Sequence, residues 1–218
     1  NASRVLRLAP GADQPTVLPF TDVRNPNGVA VDNTGAVYVT DFNASRVLRL
    51  APGADQPTVL PFTDVRNPDG VAVDDEGAVY VADTGNRRVL KLAAETNQPT
   101  ALPFIGLASP AGVAVDREGA VYVADPRSIR VLRLAAGSDQ QTAVPFAGLQ
   151  TPRGVGVDTS GGVYATDLST GVVLKLMLGT DQQTELPFLG LSGPSGVAVD
   201  KTGAVYVSGR RVLKLPTS

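Results

Sequence analysis

A unit of fixed length recurs along this chain from end to end. The clearest copy runs from Gly70 to Leu92, and related copies begin at Gly28, Gly112, Gly154 and Gly196, each start lying 42 residues after the one before. A fixed period of about 40–45 residues is typical of a four-stranded blade repeated around an axis. The sequence therefore predicts an all-β fold, a β-propeller of four-stranded antiparallel blades, with the whole chain 1–218 forming a single domain.

Each repeat contains four short runs with the composition of strands. In the first complete repeat they span 29–31, 36–40, 46–50 and 58–62. The first run holds small and β-branched residues, which suit the crowded axis, and the last contains a proline, which belongs at a sheet edge. We name the four runs a, b, c and d and predict this order from axis to rim.

The number of strands predicts how the ring closes. Residues 1–27 repeat residues 43–69 except that Asn27 stands where Asp69 does, and the last repeat, 196–218, has no d run. We predict five blades, closed by the outer strand 16–20 completing the C-terminal blade, because closed rings leave no strand edge unpaired. Residues 211–215 should provide its c strand, since a short local turn has little closure entropy. Residues 1–8 are then surplus, and we expect them to be loose, folded back or exchanged in an oligomer, so that deleting them leaves stability nearly unchanged.

The repeat resembles a known family. Residues 70–92 match the pattern of the NHL repeat throughout, and with the following run 98–104 they are most similar to the extracellular propeller of actinobacterial receptor serine/threonine kinases of the PknD type, and to designed propellers derived from it. The resemblance implies a ligand-sensing domain at the cell surface within a larger anchored protein. Such propellers usually have six blades, so the N-terminal c and d runs could instead be the remnant of a sixth blade.

Two sets of charged residues recur at fixed positions. An aspartate and an arginine flank each b–c turn, where they could form a cation or an anion site, but we favour a structural role because Val172 and the short last turn interrupt the set. A further aspartate begins each a–b turn and is expected to accept hydrogen bonds from the turn backbone. These positions are Asp41, Asp83, Asp125, Asp167, Arg46, Arg88 and Arg130 at the b–c turns, and Asp32, Asp74, Asp116, Asp158 and Asp200 at the a–b turns.

Composition excludes several chemistries. The chain contains no histidine and no cysteine, so the histidine-dependent lyases found on similar propellers and every thiolate site are excluded. We predict no enzyme activity, no cofactor and no metal, with a calcium-dependent hydrolase built from carboxylates as a minor alternative. A net charge of −2 makes nucleic acid an unlikely partner, and the lack of a long apolar run predicts a soluble chain with no membrane insertion.

One face of the predicted propeller carries the d–a and b–c loops, where the repeats differ most. Variable loops on a rigid frame are where binding usually resides. We expect this face to bind a peptide, glycan or protein; the alternative is an engineered or reconstructed repeat scaffold with no ligand of its own, which the near-identical copy in residues 1–27 favours. The candidate binding residues are Arg24, Phe42, Arg66, Arg87, Arg127, Arg153 and Leu168.

Overall fold

The computed structural model describes residues 3–180 and 182–216. These residues form five antiparallel blades, which confirms the predicted propeller; blades 1–4 have four strands and blade 5 has three. Each blade follows the chain order a, b, c, d, as predicted. A separate two-stranded hairpin precedes blade 1.

The strand bounds follow the repeat. The hairpin comprises β1 (Leu6–Arg7) and β2 (Thr16–Val17). Blade 1 comprises β3 (Pro26–Val31), β4 (Val37–Asp41), β5 (Arg46–Leu50) and β6 (Thr58–Val59), and blade 2 comprises β7 (Pro68–Val73), β8 (Val79–Asp83), β9 (Arg88–Leu92) and β10 (Thr100–Ala101). Blade 3 comprises β11 (Val113–Val115), β12 (Val121–Asp125), β13 (Arg130–Leu134) and β14 (Gln141–Val144), and blade 4 comprises β15 (Pro152–Val157), β16 (Gly162–Asp167), β17 (Val173–Met177) and β18 (Gln183–Glu185). Blade 5 comprises β19 (Gly196–Val199), β20 (Val205–Ser208) and β21 (Val212–Leu215).

Turn chemistry sets the register within a blade. In blade 1, Val29 pairs with Val39 and Val31 with Val37, and the connecting turn ends at Gly35 with φ 87°. Glycine adopts this left-handed conformation without the steric cost that a side chain would add. The d strands are short, β6 covering only Thr58–Val59, because Pro61 has no N–H to continue the ladder.

The hydrophobic core lies between blades rather than within them. Between blades 1 and 2, for example, Tyr38 and Val47 pack against Val71, Val81 and Leu90. Phe62, at the end of the d run, is buried in the same core. Each blade is therefore stabilised mainly by the neighbours that cover its faces, as in other repeat architectures.

The predicted closure of the ring is wrong. Strand β2 pairs with β1, Leu6 lying opposite Val17, and does not join blade 5, whose described strands are β19, β20 and β21. The prediction for the c strand of blade 5 is confirmed, because β21 pairs with β20.

The reason for the error is loop closure. The low entropy cost of a local turn, which favours β21, equally favours pairing residues 6–7 with residues 16–17 across a short turn. The hairpin then packs on blade 1 through Val5, Phe20 and Val23, which contact Leu48 and Leu50. It occupies the outer half of a sixth-blade position, and the described residues of 1–8 are neither loose nor surplus; Asn1 and Ala2 lie outside the described residues.

No helix within the described ranges is long and apolar enough to cross a membrane.

Candidate functional site

The b–c aspartates tie two loops together. Asp41, Asp83, Asp125 and Asp167 are all 0% exposed. Asp83 accepts a hydrogen bond of 2.7 Å from the backbone N–H of Arg66, and Asp125 accepts bonds of 2.9 and 2.8 Å from the backbone N–H groups of Ala108 and Ser109. Each carboxylate thus fixes the d–a loop that precedes its own blade. The d–a and b–c loops consequently form one continuous face.

The arginines that begin the c strands serve the same frame. The Arg46 guanidinium lies 3.2 Å from Asp41 and that of Arg88 2.7 Å from Asp83, while Arg130 donates to the carbonyl of Gly106 at 2.8 Å. These arginines and carboxylates are directed at each other and at loop backbone, and are not turned outward as an ion-binding ring.

Blade 4 replaces the arginine by Val172, and Asp167 binds its own loop instead. Its carboxylate accepts bonds from the backbone N–H groups of Ser169 and Thr170 at 3.1 and 3.0 Å, in addition to that of Thr151 at 2.8 Å. Burial alone would raise the pKa of Asp167, but the backbone N–H groups of Gln150, Thr170 and Thr151 lower it below its ordinary value.

The a–b aspartates lie on the opposite face and have a second partner. The Asp158 carboxylate accepts bonds from the backbone N–H of Gly162 at 2.8 Å and from the Tyr164 hydroxyl at 2.7 Å. The same aspartate–tyrosine bond occurs in all five blades, at 2.7–3.0 Å. The sequence analysis does not anticipate this bond, although each tyrosine follows its aspartate by six residues, which is a visible signal.

Several of these groups have a shifted pKa. In blade 4, burial alone would raise the pKa of Asp158 but its hydrogen bonds lower it, and burial raises the pKa of Tyr164. Burial raises the pKa of Tyr122 to about 12, with the Asp116 carboxylate adding to the rise and Arg133 opposing it. The hydroxyl of Thr202 is the main cause that lowers the pKa of Asp200 to about 2, with Tyr206 contributing. At physiological pH, Asp158 and Asp200 are therefore ionised, and Tyr122 and Tyr164 are neutral.

The structure places the candidate binding residues on the d–a and b–c side. Arg24, Arg66, Arg87 and Arg127 are exposed, Phe42 and Arg153 are half-buried, and Leu168 is 39% exposed. Arg66 and Arg87 belong to adjoining loops of blade 2, because Gly85 donates its N–H to the Arg66 carbonyl at 2.9 Å. A side chain at Gly85 would meet the Arg66 Cγ at 2.7 Å, so this glycine is what allows the arginine to cross the b–c turn.

Arg153 differs from the other candidates because it lies at the axis. Its guanidinium is 3.1 Å from the Asp69 carboxylate, and the two belong to the inner strands of blades 4 and 2. The pair stands at the end of an axial channel of about 310 Å³, lined by the inner strands of all five blades. Burial raises the pKa of Asp69, and Arg153 and Asn27 oppose that rise.

Asp69 was missed by sequence reasoning. The signal was the position before the repeated glycine, where every repeat carries a different residue: Asn27, Asp69, Ala111, Arg153 and Ser195. Because this position varies while the glycine after it recurs, it is where the inner strands of the five blades differ chemically.

No group of three or more His, Cys, Asp or Glu side chains able to hold a metal occurs within residues 3–180 and 182–216.

Two stretches of the chain, 23–50 and 65–92, match the family model of the NHL repeat. No curated protein matches the sequence. Among solved structures, a nidogen/laminin complex has a TM-score of 0.83 at 20% identity, covering 93% of this chain and 80% of that one. A gluconolactonase from Xanthomonas campestris has a TM-score of 0.77 at 18% identity, covering 92% and 75%.

A virginiamycin B lyase from Staphylococcus aureus is similar to a lower degree, with a TM-score of 0.70 at 16% identity, covering 90% of this chain and 68% of that one. These identities are low, so the likenesses establish the fold alone. The chain is thus a five-bladed β-propeller whose first two blades contain stretches that match the NHL repeat.

Proposed function

We propose that this chain is a non-catalytic binding propeller that recognises an acidic peptide or protein segment through the d–a and b–c face. In the wider setting, its resemblance to receptor-kinase sensor domains suggests a ligand-sensing role at the cell surface. The absence of histidine and cysteine from the sequence supports binding rather than catalysis, since the common nucleophile–base pairs need one of them.

The observation that carries the proposal is the distribution of charge. The carboxylates that recur at the b–c turns of this face are buried and accept hydrogen bonds from loop N–H groups, as Asp83 does from Arg66, whereas the candidate arginines Arg24, Arg66, Arg87 and Arg127 are exposed. The opposite face exposes acidic turns such as Asp75 and Glu76. A polarised surface of this kind attracts anionic partners to one side, while the net charge of −2 argues against general affinity for nucleic acid.

The neighbouring structures are compatible with this role. One of them is a nidogen/laminin complex. Others are a lyase and a gluconolactonase, so the same fold occurs in protein complexes and in enzymes. In this chain, the exposed arginines of the d–a and b–c loops and the lack of histidine and cysteine favour binding over catalysis.

The test is charge reversal on blade 2. We expect Arg66→Glu combined with Arg87→Glu to weaken binding of a fluorescein-labelled, glutamate-rich dodecapeptide about tenfold or more, because two exposed cations become anions. Fluorescence anisotropy at two salt concentrations measures the effect, which should shrink as salt rises. Arg117→Glu, an exposed arginine on the opposite face, is the matched control and should leave binding unchanged.

If the Arg66/Arg87 variant and the Arg117 variant lose the same peptide affinity, the loss is explained by net charge alone. That result would contradict a binding site on the d–a and b–c face. The alternative, a repeat scaffold without a ligand, is favoured by the near-identity of residues 1–27 and 43–69. It predicts no saturable binding of the acidic peptide to the parent chain.

A further inference from the structure

Four junctions between blades are closed by the same set of residues. On one side of each junction lies a c-strand valine, and Val47, Val89, Val131 and Val173 are all 0% exposed. On the other side lies an a-strand valine: Val71, Val113 and Val155 are 5–7% exposed, and Val197, at the junction of blades 4 and 5, is partly buried. At a completed junction in this protein, the valines of both blades are therefore buried or partly buried.

The fifth junction, from blade 5 to blade 1, is open. Val212 occupies the c-strand position of blade 5 and is 73% exposed, and Val29 and Val31 of blade 1 are 61% and 59% exposed. We call this surface the open junction. It carries the residues of the established inter-blade interface but lacks their cover.

The inner strands show the same break. At completed junctions the backbones touch, for example where Gly70 donates its N–H to Ala111 at 2.8 Å and Gly112 donates to Arg153 at 2.8 Å. A side chain added at Gly154 would meet Gly196 at 2.8 Å. Within the described residues, one added at Gly196 would meet only Ser208 of its own blade.

The strands that would complete the junction can be read from the neighbouring blades. The β1–β2 hairpin covers the outer half of blade 1, where Val39 is 0% and Leu48 2% exposed, but leaves the inner half open. Strand β1 has no b strand beside it, and β21 has no d strand among the described residues. The absent cover is one d strand on blade 5, followed by one a and one b strand inside the hairpin.

We propose that the open junction is a docking site for a polypeptide segment with the d–a–b pattern of this repeat, supplied by a partner chain. The three strands are consecutive in the repeat order, so one segment of about 28 residues meets all three needs, as Gln98–Asp125 does between blades 2 and 3. The interface is continuous with the four that already exist. The partner is thus a strand-rich segment, in contrast to the acidic ligand of the loop face.

Contacts at the closed junctions predict how the segment binds. Its a and b strands place valines against the half-buried Tyr206 and the exposed Val212, as Val113 and Val121 pack against Tyr80 and Val89. Its b-strand tyrosine covers Val29, as Tyr38 covers Val71. Backbone bonds form at the free edges of β1 and β21, which is the mode of recognition by strand addition.

The experiment adds a synthetic peptide of residues 98–125 to the intact 218-residue chain. We expect a one-to-one complex in native mass spectrometry and a rise in the melting temperature of about 5–10 °C at saturating peptide. Amide exchange should slow at 29–31 and 212–215. A peptide with aspartate in place of Val113 and Val121 should not bind.

Two variants of the chain make the test specific. Val212→Asp should lower affinity at least about tenfold, because it places a charge in the apolar junction. Ile105→Asp is the matched control, since Ile105 is an apolar residue 72% exposed on a d–a loop away from the junction. Both residues are exposed, so neither change should impair folding.

The proposal is overturned if the peptide does not bind, or if both variants bind it equally. It is also overturned if the chain alone forms a discrete oligomer by light scattering that Val212→Asp dissociates and the peptide does not. In that case the junction would be filled by a second copy of the chain.

Discussion

Asp158 and Tyr164 illustrate how one residue pair repeats as the local lock of each blade. The phenol donates to one carboxylate oxygen at 2.7 Å, the turn backbone donates to the other at 2.8 Å, and the Lys175 ammonium lies 3.0 Å away. Burial tends to raise the pKa of Asp158, but the hydrogen bonds of Tyr164 and its turn lower it overall. The same balance lowers the pKa of Asp32.

These shifts predict an acid limit to stability. A carboxyl group whose pKa is lower in the folded than in the unfolded state stabilises the fold above its unfolded pKa and ceases to do so as pH falls through the folded value. We therefore expect the melting temperature to decrease as the pH is lowered from about 4 to the folded-state pKa of Asp200, which is about 2. Asp69, whose pKa is raised, acts in the opposite sense and at higher pH, because its protonation in the folded state adds stability as the pH falls toward about 4.

Tyr122 sets a matching alkaline limit. Its raised pKa of about 12 means that stability is complete below the ordinary tyrosine pKa of about 10 and is lost as pH rises toward 12. Thermal melts across pH measure both limits, and Asp158→Asn and Tyr122→Phe should each flatten one of them. A flat profile in the parent chain below pH 4 would contradict the acid limit.

At the scale of elements, the propeller is held by links between the b–c turn of one blade and the loop that enters it. The single carboxylate of Asp83 accepts hydrogen bonds from the Arg66 backbone N–H, the Asn86 side-chain amide and the Arg88 guanidinium. The carboxylate is wholly buried, and these donors would lose a common acceptor without it. The d–a and b–c face is consequently fixed to the frame at this point.

Asp83→Ala should destabilise the protein by about 2–3 kcal/mol, because it leaves buried donors without partners. Urea denaturation measures the change as a shift in midpoint at constant slope. Glu118→Ala, on an exposed turn, serves as the control and should stay within about 0.5 kcal/mol of the parent. A shift in the Asp83 variant no larger than the control would mean that the loop is held by other contacts.

At the scale of the whole molecule, the ring consists of five blades and a hairpin in a sixth position. The hairpin contributes a core of its own, in which Val5 is 9% and Phe20 7% exposed against blade 1. Because of these contacts we now expect residues 1–8 to contribute to stability, whereas the sequence alone predicts that they are dispensable.

Deleting residues 1–8 should lower the melting temperature by about 4–8 °C, because it removes the buried Val5 and the only strand paired with β2 among the described residues, together worth about 2 kcal/mol. Differential scanning calorimetry measures the shift. Val17→Ala, which shortens an exposed side chain of the same hairpin, should change it little. If the deletion leaves the melting temperature unchanged, residues 1–8 do not contribute to stability and this prediction is wrong.

Much of the fold could be predicted from the repeat. The order of strands, the number of blades and the c strand of blade 5 follow from local patterns, because period, proline and glycine act through the backbone within a few residues of their position. The candidate loops also follow, since alternating connections of antiparallel strands must emerge on alternate faces.

The sequence by itself therefore determined the blade, which depends on short-range chemistry repeated every 42 residues. Tertiary structure alone decided where the ring stays open, which side of blade 1 the hairpin covers, and that Asp69 meets Arg153 across the axis at 3.1 Å. Each of these depends on how separate blades are angled and packed. Residues 84 positions apart in the chain come together only when that packing is complete.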